Sequence, residues 1–255
     1  MGERRAQKDA RGRNVRPAVE DVLRRRGAVP HQALTAYSFE WSAVLRGLPY
    51  LLEGAGLTIL ISGVAMVLAL VLGLALAAIS QASGRLARSV VAAYVEIFRN
   101  TPLLIQIFIV YFGLPQLGLK LSPFLSGLSA LVLYAAAYNT EIFRAGLEAV
   151  PHGQFEAARS AGLSERQMLR YVIVPQAVRI SFPALGNNLV SLVKNSSLVS
   201  TIGMVELMFV ANDISFNNFR TFEIYGAAAA MYVVIVLALT RLLHAAEGRL
   251  LRAPA

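Results

Sequence analysis

The stretch GLTILISGVAMVLALVLGLALAAI, residues 56–79, decides the class of fold. It contains no charged side chain, and a bilayer core is crossed by about 20 apolar residues in a helix. The whole chain is 56% hydrophobic and only 15% charged, which leaves too little charge for the surface of a soluble domain. The sequence therefore predicts a membrane protein whose first span is this helix.

Small residues recur every fourth position along this span, at Ala65, Ala69, Gly73 and Ala77. This spacing places them on one face of a helix, where small side chains let a neighbouring backbone approach closely. We therefore expect this face to pack inside a helix bundle.

Four further apolar blocks follow the first and predict an all-α membrane protein with about five transmembrane helices. They lie at residues 101–118 (lengthened backward through 90–98), 124–147, 182–204 and 224–243. The first and the last blocks are the clearest, because the other three contain polar residues. We expect a basic polar tail over residues 1–40 and the transmembrane domain over residues 48–250.

Positive charges between the blocks predict the orientation, since Lys and Arg accumulate on the cytoplasmic side. The loops around 85–88 and 148–180 and the C-terminal tail hold many arginines, whereas the two other loops hold only Lys120 and Arg220. This favours a cytoplasmic C-terminus and, with five spans, an N-terminus outside. The nine basic residues within 1–30 oppose this, but only Arg46 lies between residues 27 and 52, near the first span.

The segment PHGQFEAARSAGLSERQMLRYVIVP, residues 151–175, is too polar to cross the bilayer. Strong helix formers predict a short helix over 154–161, and Gly162 is suited to end it in a left-handed conformation. Ser164, with Gln167 three residues on, has the spacing of a capping box that starts a second helix. Pro175 is expected to stop or kink that helix. Such an elbow suits docking into another protein, or it is an amphipathic hairpin that only ties two spans together.

Polar residues inside the fourth block define a second candidate site. The spacing of Asn187, Ser191, Lys194 and Thr201 places them along one helical face, with Asn195 beside it. A charged side chain in hydrocarbon costs at least about 2.5–3.5 kcal/mol and usually faces a cavity or a partner. This face either lines a substrate path or forms a buried hydrogen-bond network between helices.

The second and third blocks contribute further candidates for this path. Tyr138 and Glu141 share a face with Tyr134, and Glu141 is a candidate partner for Lys194 or for a substrate ammonium group, unless it pairs with Arg144 at i,i+3. Arg99 and Asn100 precede Pro102, which favours a kink that frees backbone groups for a ligand. Arg99 is alternatively an anchor at the membrane edge.

Several motifs in the same order resemble the polar amino acid permease family of binding-protein-dependent ABC importers. The motifs are EIFRNTPLLIQIFIVYFGLP (96–115), AYNTEIFRAGLEAVPHGQFEAARSAGL (137–163), VPQAVRISFPALGNN (174–188) and SLVKNSSLVSTIGMVEL (191–207), and the resemblance covers roughly residues 48–250. Residues 151–175 carry the EAA signature of this family, with Val174 where leucine is frequent.

The resemblance implies a permease subunit of the bacterial inner membrane that imports polar amino acids. In this family the EAA loop enters a cleft on a cytoplasmic ATPase subunit, so Glu156, Ala157, Ala158 and Gly162 take the coupling role, with Ser164 starting the next helix. The implied partners are ABC ATPase subunits, a second permease copy or a sister permease, and an extracytoplasmic solute-binding protein.

The sequence offers no site for chemistry of its own. It has no cysteine, and its three histidines lie far apart, so neither thiol chemistry nor a metal site is expected. The nearest match to a nucleotide-binding loop, at 113–120, has its lysine one place late. We expect a transport subunit that is not an enzyme and has no cofactor, with ATP bound by its partner. A secondary transporter or channel and a membrane-embedded enzyme are the competing classes. The net charge of +9 is attributed to basic cytoplasmic loops, and no nucleic-acid partner is expected.

Overall fold

The computed structural model describes residues 37–82 and 84–252, so residues 1–36 of the predicted tail lie outside the described part. Residues 1–40 and 41–255 form two separate units, and all helices discussed below belong to the second. Within the described ranges the regular structure is entirely helical, which confirms the predicted all-α class. The helices are α1 (Trp41–Ala82), α2 (Arg85–Asn100), α3 (Leu103–Phe108), α4 (Pro123–Glu148), α5 (His152–Ser160), α6 (Glu165–Met168), α7 (Val174–Asn195), α8 (Leu207–Asn218) and α9 (Thr221–Arg252).

Two helices, α1 and α9, are long and apolar enough to cross a membrane on their own. The described residues contain two further candidates if each of two bent helix pairs is one span, which makes at most four. Helix α4 has the necessary length, at 26 residues, but its polar side chains lower its hydropathy and keep it out of this set. A helical membrane protein is thus confirmed, and the count of five spans stays a prediction.

The predicted second block is not one straight helix. Helix α2 ends at Asn100, and the chain turns by 109° before it continues from α3 to Leu117. Thr101 has the extended backbone (φ −107°, ψ 134°) that a residue before proline adopts, and the ring of Pro102 removes a helical N–H group. The expected kink at Pro102 is therefore present, as a sharp corner.

The predicted fourth block also differs from a simple span. Helix α7 begins at Val174, before the predicted start at 182, and continues as a 3₁₀ helix over Ser196–Ile202. Gly203 ends it with a left-handed backbone (φ 81°), and α8 follows at an angle of 48°. Glycine suits this turn because it has no Cβ to clash in that conformation.

The core of the bundle lies where α1 packs on α4. Ala65, Ala69 and Ala77 are all buried, as the fourfold spacing of small residues predicts. A Cβ atom added at Gly73 would lie 2.7 Å from the Cβ of Asn139 and 3.1 Å from the carbonyl oxygen of Ala136. The two helices therefore approach backbone to backbone at this point, which is the packing that small residues allow.

Replacing Gly73 by Ala should lower the free energy of unfolding by about 1–3 kcal/mol, because the added methyl group forces α1 and α4 apart. Thermal unfolding of the purified protein in detergent measures the effect. Gly63→Ala is the matched control, since nothing lies within 4 Å of its Cβ position on the same helix. Equal melting temperatures for the two variants would contradict the close contact.

Candidate functional site

The segment between α4 and α7 folds as the predicted elbow. Helix α5 is followed by Gly162, whose backbone is left-handed (φ 76°). Ser164 then caps α6: its hydroxyl accepts a hydrogen bond from the backbone of Gln167, and the Gln167 side chain accepts one from the Ser164 N–H at 3.0 Å. The capping box and the glycine turn are confirmed, and together they hold the two short helices at a defined angle.

Pro175 does not stop the helix that follows. A π-helical turn over Leu169–Ile173 leads directly into α7, and Pro175 occupies its first turn. Proline is tolerated there because it follows a π-helical turn, and such a local change of helix type accommodates the N–H group that proline lacks. The elbow is thus continuous with the long helix α7, which corrects the expectation of a stop.

A small apolar cluster fastens the elbow to the base of α7. Ala158 is only 5% exposed and packs with Met168, Ile173 and Ala177. The side chain of Ala158 therefore supports the elbow from inside, whereas Glu156 and Ala157 next to it are exposed. Within residues 37–82 and 84–252, Glu156 has no salt bridge, so its carboxylate is available to a basic group on another protein.

The polar residues of α7 lie on two sides of the helix, an outward side that is exposed and an inward side that is buried in the bundle. Asn187 and Lys194 are exposed and Ser191 is half-buried, so these three share the outward face that their spacing predicts. Asn188, one position on, is buried and donates hydrogen bonds to Asn139 at 2.8 Å and to a backbone carbonyl group of α4. An exposed polar face and a buried hydrogen-bond network are thus both present on α7, from different residues, and the substrate path along the exposed face stays a prediction.

Thr201 is also exposed but lies beyond α7, in the 3₁₀ helix, where its hydroxyl donates to the carbonyl group of Leu198 at 2.7 Å. The α-helical spacing that joined it to Lys194 ends at Asn195, because a 3₁₀ helix turns by a different angle per residue. The structure therefore places Thr201 near this face without continuing the stripe.

Arg99, Tyr138 and Glu141 lie close together where the end of α2 packs against α4. The Arg99 guanidinium lies over the Tyr138 ring, 5.3 Å from its centroid, and Arg99 also interacts electrostatically with Glu141. The Tyr134 and Tyr138 rings are 4.9 Å apart, and Asn195, at the end of α7, is half-buried. Arg99 of α2 thus joins three residues of α4 that the sequence placed on one helical face, and together they form one polar cluster.

Glu141 pairs with Arg144 and not with Lys194. Arg144 donates to Glu141 at 3.1 Å through Nε and also binds Glu148. The pairing at i,i+3 is the one that helix geometry favours. The hypothesis of a Glu141–Lys194 ion pair is therefore wrong for this structure, and Lys194 has no salt bridge among the described residues.

The amide group of Asn100 donates to the Glu96 carboxylate at 2.7 Å and to the Glu96 carbonyl oxygen, and its place on a substrate path stays a prediction. The backbone groups freed at the Pro102 corner are bound by Gln106, a residue that the sequence analysis missed. Its side chain donates to the carbonyl oxygens of Phe98 and Thr101 at 2.8 and 2.9 Å. The signal in the sequence that could have identified Gln106 was a single glutamine within the apolar run LLIQIFIV.

Glu206 is the second residue that was missed, although it lies in a quoted motif. It is fully buried and caps α8 by accepting a hydrogen bond from the Phe209 N–H at 2.8 Å. Tyr232 of α9 donates to it at 2.7 Å and Thr58 of α1 at 3.3 Å. A carboxylate at a helix N-terminus is favourable because it faces unpaired N–H groups.

The sequence model of the family described as binding-protein-dependent transport system inner membrane component matches residues 69–252. The chain belongs to this family. It is therefore an inner membrane component of an ABC importer, and the prediction of a polar amino acid permease is confirmed by relatives along most of the chain.

Among these relatives, a probable glutamine ABC transporter permease of Bacillus subtilis is 38% identical over 78% of this chain and 92% of its own length. A glutamine transport system permease of Escherichia coli is 35% identical over 83% and 98% of the two chains. An arginine transport system permease of Bacillus subtilis is 36% identical over 84% and 98%.

Solved structures agree with the fold of the permease. One of an amino acid ABC transporter crystallised with histidines superposes with a TM-score of 0.80 at 37% identity, over 84% of this chain and 100% of the other. An inward-facing methionine ABC transporter has a TM-score of 0.67 at 21% identity, over 79% and 96%, and supports the fold alone.

The hydrogen bond between Asn139 and Asn188 should show energetic coupling between α4 and α7. Alanine at both positions is expected to cost about 0.6–1.7 kcal/mol less than the sum of the single changes, the range found for hydrogen bonds between membrane helices. Denaturant unfolding of the four proteins measures this difference. Additive effects would contradict the bond, and Asn187→Ala, on the exposed face, should change the stability little.

Proposed function

We propose that this permease moves a polar amino acid along the outward polar face of α7, and that the elbow over residues 151–175 couples this movement to ATP hydrolysis on a partner. The observation that carries the proposal is the difference in exposure between neighbouring residues of the EAA signature. Glu156 and Ala157 are exposed, whereas Ala158 is buried against the base of α7. One surface of the elbow is thus free for a partner while the other is packed on the helix that bears Lys194.

A displacement of the elbow is transmitted directly to α7, the helix that bears the polar face. The π-helical turn after α6 runs without interruption into α7, and Ala158 contacts the cluster at that junction. Because packed helices move as rigid bodies, displacement of α5 shifts the N-terminal end of α7. Two states of the ATPase that hold the elbow differently would therefore favour two positions of the path.

Family membership implies ATPase and binding-protein partners in general, and we propose a specific assembly. Two permease subunits, two copies of this chain or this chain and a sister, meet across a two-fold axis at the outward face of α7. Lys194 and Asn187 would be costly against lipid, which supports a polar path between the subunits. Each elbow receives one ATPase subunit, which binds the ATP, and a solute-binding protein delivers the amino acid from outside.

The proposed orientation has the N-terminus outside and the C-terminus in the cytoplasm. The elbow and its flanks carry four arginines, Arg159, Arg166, Arg170 and Arg179, all exposed or half-buried. Since Arg and Lys near the spans favour the cytoplasmic side, these charges support a position of the elbow within reach of a cytoplasmic ATPase.

The substrate class we propose is a polar amino acid of the kind that relatives are named for, glutamine or arginine. Every such molecule has a carboxylate, and the ammonium group of Lys194 is an exposed cation on the path without a salt bridge in the described chain. The cluster of Arg99, Tyr138 and Glu141 lies on the neighbouring helices and presents both charges. We assign the substrate carboxylate to Lys194 and the discrimination of side chains to this cluster.

A single cysteine at position 157 should crosslink to an ABC ATPase in native membranes, and one at 158 should not, because Ala158 is buried beneath the elbow. The chain has no cysteine of its own, so each variant carries one reactive thiol. Mass spectrometry of the adducts identifies the partner. The coupling role would be rejected if Ala157→Cys formed adducts only with lipid or with this chain under several crosslinkers.

Labelling with a membrane-impermeant maleimide is the control for orientation in the same experiment. In intact spheroplasts the thiol at position 157 should stay unlabelled, and it should react after lysis.

Lys194→Gln should raise the KM for amino acid uptake by about tenfold or more, since a hydrogen bond between charged groups contributes about 1.5–3 kcal/mol. Uptake of radiolabelled substrate by cells with equal amounts of permease measures this change. Lys120→Gln removes the same charge from the loop before α4 and should leave uptake unchanged. Uptake by Lys194→Gln with the KM of the unmodified permease would remove this side chain from the path.

A further inference from the structure

Glu206 is a fully buried carboxylate that neither the elbow nor the polar face of α7 uses. Its hydrogen-bond partners among residues 37–82 and 84–252 are all uncharged. A buried ionisable group in a membrane protein is costly and indicates a functional role. Capping α8 does not account for it, because serine, threonine and asparagine cap helices without a charge.

The two oxygen atoms of this carboxylate bind different helices. Oε1 accepts from the Phe209 N–H at the start of α8. Oε2 accepts from Tyr232 of α9 at 2.7 Å and from Thr58 of α1 at 3.3 Å. The Thr58 hydroxyl in turn accepts from the Leu207 N–H at 3.1 Å. The start of α8 is thus fastened to both of the long helices α1 and α9.

These hydrogen bonds lie at the junction of two apolar clusters. Met204, two residues before Glu206, belongs to the cluster that includes buried residues of the 3₁₀ helix Ser196–Ile202. Leu207, directly after Glu206, belongs to the cluster of α8, α9 and the first part of α1. Thr58 lies on α1 between the buried residues that contribute to the two clusters. The carboxylate therefore joins two parts of the bundle that pack separately.

Apolar packing holds the link between the two clusters, residues 203–205, at only one point. Met204 is its buried residue, whereas Val205 is 47% exposed. Val205 lines two grooves, of about 400 and about 340 Å³, and Leu57 of α1 lines both. The link is thus open on two sides, and the hydrogen bonds to Glu206 give it a second fixed point.

We propose that Glu206 is a positioning residue for the end of the substrate path farthest from the elbow. Since α7 begins at the elbow, Lys194 lies near its other end, and Thr201 lies in the 3₁₀ helix that follows. That helix leads through residues 203–205 to the carboxylate, which donors on α1 and α9 hold in place. Loss of a donor frees the link and lets the polar groups before it move away from the substrate, at a cost in binding. The inference rests on the proposed path along α7.

Tyr232→Phe tests this role, because it removes one hydroxyl donor to Glu206 and keeps the ring. Tyr225→Phe is the matched control, since the Tyr225 hydroxyl, also on α9, donates to Asn212 of α8 at 2.8 Å. A nitroxide label on Thr201→Cys, in a chain that has no cysteine of its own, reports motion of the 3₁₀ helix. Electron paramagnetic resonance of the assembled transporter in lipid vesicles should show a more mobile label with Tyr232→Phe and no change with Tyr225→Phe.

Uptake of radiolabelled amino acid by cells, with Thr201 intact, is the second readout. Tyr232→Phe should raise the KM by about threefold or more, and Tyr225→Phe should leave it unchanged. A merely structural role would lower the amount of folded permease, and with it the maximal rate, but not change the KM. Thr58→Val removes the other hydroxyl donor at the same shape and replaces Tyr232→Phe if that variant does not fold.

Equal label mobility with Tyr232→Phe and Tyr225→Phe would overturn the positioning role. A more mobile label with an unchanged KM would also overturn it, and would in addition remove the 3₁₀ helix from the proposed path. The label measures motion without transport, so failure of the positioning role is distinct from failure of the path.

Discussion

Backbone N–H and C=O groups inside a bilayer need partners within the protein, and this permease supplies them with side chains at two of its helix breaks. At the Pro102 corner, Gln106 binds the carbonyl oxygens of Phe98 and Thr101. At the start of α8, Glu206 accepts from the backbone of Phe209. Each break would otherwise leave unpaired polar groups in an apolar medium, at a cost of several kcal/mol per group.

These two side chains also decide how the bundle is assembled. Glu206 receives hydrogen bonds from Thr58 of α1 and Tyr232 of α9, so the cap of α8 joins three helices. Gln106 binds two carbonyl oxygens at the turn of 109°, and Arg99, just before that turn, lies over Tyr138 of α4. The polar cluster near the proposed path thus lies beside a bend at which a buried amide group binds the free carbonyl groups.

The elbow likewise depends on a small number of contacts. Its shape comes from local features, a left-handed glycine and a capping box, and its attachment comes from Ala158 packed on the base of α7. In the proposed coupling, a rigid elbow on a long helix transmits the motion of a partner to α7.

The sequence by itself determined the helical membrane class, the small face of α1, the capping box at Ser164, the glycine turn and, through its ordered motifs, the family. Each of these depends on residues close together in the chain, where helical periodicity and turn chemistry decide the outcome. The sequence did not determine the number of spans, because α4 is too polar for hydropathy alone to identify it as a transmembrane helix.

Only the tertiary structure decided which polar groups meet. Asn188 binds Asn139, 49 positions away, and Thr58 binds Glu206 across 148. It also turned Ala158 inward, left Glu141 with Arg144, and gave Gln106 and Glu206 roles that their neighbours in sequence do not reveal. Spacing along one helix predicts which residues share a face, but the partner of that face is chosen by packing between helices, and a buried polar group binds whatever the packing brings within reach.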